Sequence, residues 1–482
     1  MASKTYSQPT AGSPARRAGI GATLIAALGG LLFGYDTGII SAALLYIGPQ
    51  FDLGDQAQQI VVASLLVGAI IGVATGGSLM DRIGRKRTLA ATAALFTLGA
   101  IVSAVSTSLA ELLIARVALG LAIGCSSVAV PAYIAEIAPA HLRGRLVSVN
   151  QLMISSGILS SYLVGYLLSD SGAWRWMLAI AAVPAIGMLI GLVRLGESPR
   201  WLLTRGREDE ARRILAKHLS PADVDNEIAD IVHSMAAERK FSYRDLLGKR
   251  FRPGIVLGIG VAATNQLVGV NAVTYYTPTL LSRAGFGDSA AILSSVGIGV
   301  ANVTFTFLGY LLVDRVGRRP LLLIGTGITV AALILIGTLY AATDLTGVNR
   351  ILIVAALMVY EAAFSASLGI AMWLVNSEVF PTAVRGKAGS FGLATHWILN
   401  LLISVTVLTT INAITPSGLF FSYAVLGALG FVFLARRMPE TRGKRLEEIE
   451  AVLQRSPAPA SPDAQPETGV PPRAAAVAQP ES

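Results

Sequence analysis

Twelve stretches of this chain run nearly without charge: 20–46, 57–80, 88–107, 110–135, 145–169, 174–195, 253–283, 288–313, 320–342, 349–378, 385–411 and 415–436. A helix rises about 1.5 Å per residue, so about 20 apolar residues cross the roughly 30 Å hydrocarbon core of a bilayer. In lipid every backbone N–H and C=O must be satisfied within the chain, and for segments of this length the helix is the solution. Composition argues against a soluble fold, because 14% of the 482 residues are charged where soluble domains carry about a quarter. The mean hydropathy of +0.63 points the same way. The sequence predicts an all-α membrane protein with twelve transmembrane helices in two six-helix bundles.

The division into two sixes comes from charged loop motifs that occur twice. Asp81-Arg82-Ile83-Gly84-Arg85-Lys86-Arg87 returns as Asp314-Arg315-Val316-Gly317-Arg318-Arg319. Glu136-x2-Pro139-x3-Arg143-Gly144-Arg145 returns as Glu378-x2-Pro381-x3-Arg385-Gly386-Lys387. Each copy holds the same place in its half, as expected for a duplicated transporter. The implied organisation is an N-terminal segment 1–17, a first bundle 18–195, a linker of short helices 196–252, a second bundle 253–436 and a tail 437–482. The tail is Pro- and Ala-rich beyond about 455, a composition expected to be disordered.

Threading the chain through these spans places its basic residues on the side of both termini, except Arg116, Arg175, Arg283 and Arg350. By the positive-inside rule that side is cytoplasmic, in a multi-pass cell-membrane protein. The net charge of +9 is then topology plus contact with anionic lipid rather than nucleic-acid binding. The single Cys125 excludes a disulfide framework and a Cys-based metal site. No nucleophile–base set, metal cluster or phosphate loop is recognisable, so neither enzymatic activity nor a metal or cofactor is expected.

In the repeated motifs Gly84 and Gly317 permit a tight turn, while Asp81 and Asp314 can pair with arginine or cap a helix. Glu136 and Glu378 end the fourth and tenth helices, with Arg143 and Arg385 seven residues on. With Arg82, Arg85, Arg315 and Arg318, these charges are expected to latch the halves together at the inner surface when the inside is closed. Exposed pairs worth about 0–1 kcal/mol each would let that latch open in every cycle.

These motifs, together with Gly29-Gly30-Leu31-Leu32-Phe33-Gly34-Tyr35-Asp36, Glu197-Ser198-Pro199-Arg200 and Pro439-Glu440-Thr441-Arg442-Gly443, resemble those of the sugar porters of the major facilitator superfamily. The resemblance spans about residues 20–450. It implies two bundles that rock about a central sugar site, and it adds Glu197, Arg200 and Glu440 to the gating set.

Asp36 and Arg116 lie inside the first and fourth spans. A charge at a helix centre costs about 2.5–3.5 kcal/mol on insertion scales, so the two invite pairing. A buried carboxylate that loses such a partner takes up a proton. In similar proton-coupled porters the matching residues serve as the coupling pair. A static pair that only fixes helix packing is the alternative.

Sugar recognition needs amides and hydroxyls against ring hydroxyls, and an aromatic face against C–H surface. The spans supply Gln151, Asn265, Gln266, Asn271, Tyr275, Asn302, Trp373, His396, Trp397 and Asn400. Buried amides need partners, so such a cluster points to a polar cavity. The resemblance implies that the stretch around Asn150-Gln151, Gln266-x4-Asn271 and Trp373 lines the sugar site. For Asn302 and Asn400 interhelical hydrogen bonding is the competing reading.

Three departures from the family pattern stand out. Asn265 and His396 occupy positions that are often Gln. The tenth helix lacks the Gly-Pro often found before the Trp, reading Gly369-Ile370-Ala371-Met372-Trp373, so any hinge there must rely on Gly369 and its small neighbours. Pro278 is available to break the seventh helix. The expected function is proton-coupled symport of a monosaccharide or related polyol by a protein acting as a monomer. A proton-independent facilitator and a non-transporting sugar sensor are the alternatives.

Overall fold

The computed structural model describes residues 14–137, 143–216, 221–238, 243–246, 248, 250–342, 347–380, 384–444 and 448–449. These residues form helices and connections, with no strand among them. The first half contains α1 (Pro14–Gln50), α2 (Asp55–Ile83), α3 (Arg85–Val105), α4 (Leu109–Ile137), α5 (Arg143–Leu167), α6 (Trp174–Ala179) and α7 (Ala182–Val193). Short helices α8 (Pro199–Thr204), α9 (Glu208–Leu215), α10 (Pro221–Glu238) and α11 (Tyr243–Leu246) follow. The second half contains α12 (Arg252–Leu267), α13 (Val270–Arg283), α14 (Asp288–Val316), α15 (Arg318–Ala341), α16 (Val348–Ala366), α17 (Leu368–Glu378), α18 (Arg385–Ser404) and α19 (Val407–Arg437).

Ten helical stretches among the described residues are long and apolar enough to span a membrane. The pairs α6–α7, α12–α13 and α16–α17 each count as one crossing. With α5 and α18 in sequence between them, the crossings number twelve, six in each half. α19 is non-helical at Ile414 and Thr415 just before Pro416, where the sequence places the border of the last two spans.

Packing repeats the duplication. In the first half α1 packs along α5, α2 along α4, and α3 against α7. Their counterparts follow the same plan, with α12 along α18, α14 along α16, and α15 along α19. The halves meet where α5 packs on α14, α1 on α13, and α2 on α18. Close approach needs small residues: a Cβ on Gly34 would lie 1.9 Å from the Ile154 carbonyl oxygen, so α1 and α5 touch backbone to backbone. Large apolar side chains such as Leu167, Val183, Ile324 and Leu429 stay exposed, as a surface solvated by lipid requires.

Two crossings are broken helices, and the first of them differs from the sequence expectation. The seventh crossing breaks at Gly269 (φ 81°) between α12 and α13, whereas Pro278 lies inside α13. Only glycine adopts that backbone cheaply, and a Cβ there would strike the Tyr423 ring at 2.4 Å. Tyr360 Oη donates to the Val268 carbonyl at 2.9 Å and secures the break. The tenth crossing breaks at Ser367 (φ −125°, ψ −86°), among the small neighbours of Gly369. No proline is needed, because Asn265 Nδ2 donates to the Leu368 carbonyl at 3.0 Å and supplies a donor from outside the helix.

Candidate functional site

The repeated motifs fold into two matching knots on the face that carries the duplicated loops. In the first, Arg85 bridges Glu136 at 3.0 Å and Asp81 at 3.4 Å. Ser198 Oγ donates to Glu136. Glu197 Oε1 accepts from the backbone N–H of Lys86 at 2.9 Å and of Ser198 at 2.9 Å. In the second, Arg318 bridges Glu378 at 2.8 Å and Asp314 at 2.9 Å. Thr441 Oγ1 donates to Glu378 at 2.7 Å. Glu440 accepts from the N–H groups of Arg318 at 3.0 Å and Arg319 at 3.1 Å. Glu197 and Glu440 therefore cap the N-termini of α3 and α15, where the helix dipole favours a carboxylate. Gly84 and Gly317 (φ 99° and 100°) turn the chain under those carboxylates. For Glu440, partial burial raises the carboxyl, but the N–H donors of Arg442, Arg318, Arg319 and Thr441 outweigh it and hold the group below its usual range.

The expected latch belongs to the state closed at this face; here the described charges pair within the knots instead. Every pair in the two knots closes within its own half, because the third and fourth helices, and the ninth and tenth, lie side by side. The exposed Asp81 and Asp314 add little, whereas the Arg85–Glu136 and Arg318–Glu378 pairs are mostly shielded from solvent. Arg82 and Arg315 are exposed; their carbonyls accept from Arg205 at 2.9 Å and Arg442 at 2.5 Å. Arg200 is half-buried in α8. The side chains of Arg143 and Arg385 lie outside the described ones.

Hydrogen bonds between the halves, among the described residues, lie at mid-membrane or on the opposite face. There Arg283 pairs with Asp55, Asn412 Nδ2 donates to Asp55 at 2.7 Å, and Gln59 Nε2 donates to Thr409 at 2.8 Å. Ser289 Oγ reaches Asp170 at 3.0 Å. The structure is thus closed at that face. Sequence reading did not single out Asp55 and Gln59, whose partners lie in the other half.

Asp36 and Arg116 meet in the first half, each 1% exposed. A single guanidinium nitrogen, Nη1, reaches both carboxylate oxygens, at 3.1 and 3.0 Å. Nε turns to the Val61 carbonyl at 3.5 Å. This is weaker than a two-nitrogen fork, in which parallel N–H groups each take an oxygen. The pair is thus buried but held through one nitrogen.

The predicted amides converge at the breaks of the seventh and tenth crossings. Gln266 is the hub: its Nε2 donates to Asn265 Oδ1 at 2.9 Å and to His396 Nδ1 at 2.9 Å. Its Oε1 accepts from Asn271 Nδ2 at 2.5 Å. An amide nitrogen only donates, so Nδ1 of His396 accepts and the ring proton sits on Nε2. The His396 ring lies 5.6 Å from Trp373 and 5.7 Å from Trp397, centroid to centroid. Phe33 of α1 meets Trp397 at 5.6 Å and extends this aromatic wall across the halves. Trp397 is fully buried with its Nε1 unpartnered, while Trp373 is half-buried.

The remaining candidates sit nearby in different roles. The buried Tyr275 hydroxyl faces Asn400 and Thr37 without completing a hydrogen bond of good geometry. Asn400 Oδ1 takes only a long 3.4 Å contact from Ser404 of its own helix. Gln151 is half-buried in α5, and neighbouring Asn150 packs under Gly30 of α1 with Oδ1 free of partners. Asn302 does not join the Gln266 network; its Nδ2 donates to Glu361. Glu361 was missed by sequence reading, although an acid inside an apolar span is the same signal that singled out Asp36.

Residues 22–453 match the family model described as "Sugar (and other) transporter". The D-xylose transporter of Levilactobacillus brevis is 41% identical over 89% of this chain and 94% of its own length. The glucose transporter of Staphylococcus epidermidis is 37% identical over 89% and 96%. Among solved structures, the inward-open xylose transporter of E. coli superposes with a TM-score of 0.78 at 33% identity, covering 89% of this chain and 99% of that one. A structure described as a proton:xylose symporter bound to 6-bromo-6-deoxy-D-glucose gives 0.77 at 33%, covering 91% and 100%.

Proposed function

Because the chain belongs to the sugar porter family of the major facilitator superfamily, we propose that it carries a monosaccharide into the cell together with a proton, by alternating access. The substrate class is a hexose, a pentose or a related polyol such as inositol. The observation that carries the coupling is the buried Asp36–Arg116 pair, held by one nitrogen. When Arg116 withdraws, the Asp36 carboxylate sits in an apolar surround and takes a proton from the open side. When Arg116 returns, the proton is displaced to the other side. A pair that exchanges partners in step with the bundles converts a proton gradient into sugar accumulation.

The sugar site is the Gln266 network with Trp373. Gln266, Asn271, Asn265 and His396 offer donors and acceptors to ring hydroxyls, and the half-buried ring of Trp373 suits the C–H surface of a pyranose. Gln151 and the unpartnered Asn150 oxygen supply the opposing wall from α5. Asn302, Tyr275, Trp397 and Asn400 complete the polar lining. In this reading the loop face is cytoplasmic, both termini lie in the cytoplasm of a cell-membrane protein, and the monomer is the working unit. The conformation is inward-facing, closed outside by the Asp55–Arg283 bridge. The two knots keep each bundle rigid as it rocks.

The reading is tested by uptake of a panel of pentoses, hexoses and inositols into proteoliposomes, with and without an inward proton gradient. Gradient-driven accumulation of one panel member supports it. Equal uptake in both conditions favours a facilitator, and no uptake of any sugar overturns it.

A further inference from the structure

Glu361 lies in the middle of α16 and is 3% exposed. No Arg, Lys or His among the described residues pairs with it; its neighbours are neutral. Asn302 Nδ2 and Ser365 Oγ both donate to one carboxylate oxygen, Oε1, the latter at 3.2 Å. Neither donor reaches the second oxygen, Oε2, and Asn302 Oδ1 is a buried acceptor without a partner. A buried carboxylate with no cation beside it and both its donors on one oxygen is a costly way to fill such a place. A proton on Oε2 removes the charge.

The surroundings give that proton consequences. Glu361 lines a cavity of about 10 Å³, the size that admits a single water. Its other walls are Ile158 and Tyr162 of α5, Val273 and Thr274 of α13, and Ile298, Gly299 and Asn302 of α14. The cavity is therefore a junction of both halves. Tyr162 Oη crosses it to donate to the Thr274 carbonyl at 3.1 Å. Next to Glu361, Tyr360 holds the α12–α13 break. The titratable groups here are the phenols Tyr162, facing the cavity from α5, and Tyr360 on α16; the walls from α13 and α14 are neutral. The charged side chains of α15 and α17 lie at the loop face, where Arg318 pairs with Glu378 and Arg319 donates to the Ala435 carbonyl at 2.9 Å.

We propose that Glu361 is a second proton-binding site of the transport cycle, whose protonated form is required for the closed α5–α13–α14 junction seen here. When the junction opens, water reaches Oε2 and accepts the proton, and the carboxylate is left solvated. When the junction closes, the proton must return. The proposal rests on the sugar-transport reading, and exchange by the wild type tests that reading separately.

The test uses full-length protein in proteoliposomes at equal sugar and equal pH on both sides. Exchange is followed from pH 6 to pH 9 in Asp36→Asn and in Asp36→Asn/Glu361→Gln. Gln keeps the shape and the acceptor for Asn302 and Ser365 but cannot titrate. In the single variant exchange should fall by up to about tenfold per pH unit on the alkaline limb, as the protonated fraction does. In the double variant the limb should be flat within about twofold. Equal slopes in the two proteins overturn the proposal, as does the absence of any alkaline fall in Asp36→Asn. Replacing sodium by choline should leave the slopes unchanged; a slope that vanishes with sodium would assign the site to a metal cation instead.

Discussion

Replacing Asp36 by Asn separates coupling from transport. The wild-type pair shares a single guanidinium nitrogen at 3.0 and 3.1 Å, with both residues buried. Asn keeps one acceptor for that nitrogen but turns a donor toward it and leaves the Arg116 charge without a counter-ion. Removing one member of a buried pair costs about 3–5 kcal/mol, so the variant should unfold at lower temperature. Adding Arg116→Gln removes the stranded charge and should recover much of the loss. Transport responds differently. One charge moving through 100 mV is worth about 2.3 kcal/mol, which sustains roughly 50-fold accumulation at about 1.4 kcal/mol per tenfold. Both variants should fall to a ratio of one while sugar exchange stays measurable. The assay is labelled-sugar uptake into proteoliposomes under an imposed proton gradient, with a thermal-stability measurement on the same preparations. Uphill accumulation by Asp36→Asn would refute the assignment, and full recovery of accumulation in the double variant would show that the pair only packs helices.

Gln266→Ala strands Asn265, Asn271 and His396 together. At about 1–3 kcal/mol per buried group left unsatisfied, sugar affinity should drop by roughly 5- to 150-fold in tryptophan-fluorescence titrations, and unchanged affinity across the panel would remove it from the site. Gly269→Ala forces a side chain onto a left-handed backbone and into Tyr423. Strain of about 1–3 kcal/mol there should slow exchange more than it lowers expression, and wild-type exchange rates would show that the break does not need its glycine. Glu440→Gln should weaken the cap on α15 by about 0.5–1 kcal/mol at neutral pH, the low end of cap values for a half-exposed group. Its carboxyl is held below the usual range. Its stabilisation is therefore complete above the ordinary carboxylate pKa and is lost as pH falls through the depressed value. Thermal unfolding in detergent should separate wild type from variant at pH 7 and not at pH 3; a gap that persists in acid would contradict the cap.

Sequence reading recovered what hydrophobicity and repetition encode. The twelve spans, the division into sixes and the Gln266 cluster follow from apolar runs, duplicated loops and amides placed inside helices. What it missed depends on which neighbours tertiary packing supplies. That Glu136 pairs with Arg85 in this state follows from α3 and α4 lying side by side, which the spacing along the chain does not show. Pro278 suggested a break of the seventh crossing by propensity, whereas that crossing breaks at Gly269, where the Tyr360 hydroxyl donates to the Val268 carbonyl. Glu361 carried the same signal as Asp36 but had no opposite charge to draw attention to it, and its meaning appears only with Asn302, Ser365 and the cavity beside them.

The most direct test of proton-coupled sugar entry is the pH of a lightly buffered, de-energised suspension of proteoliposomes after sugar is added outside. Coupled entry predicts a transient alkalinisation of the medium that an uncoupler abolishes and that Asp36→Asn lacks. Sugar entering at the same rate with no change in external pH would contradict the account.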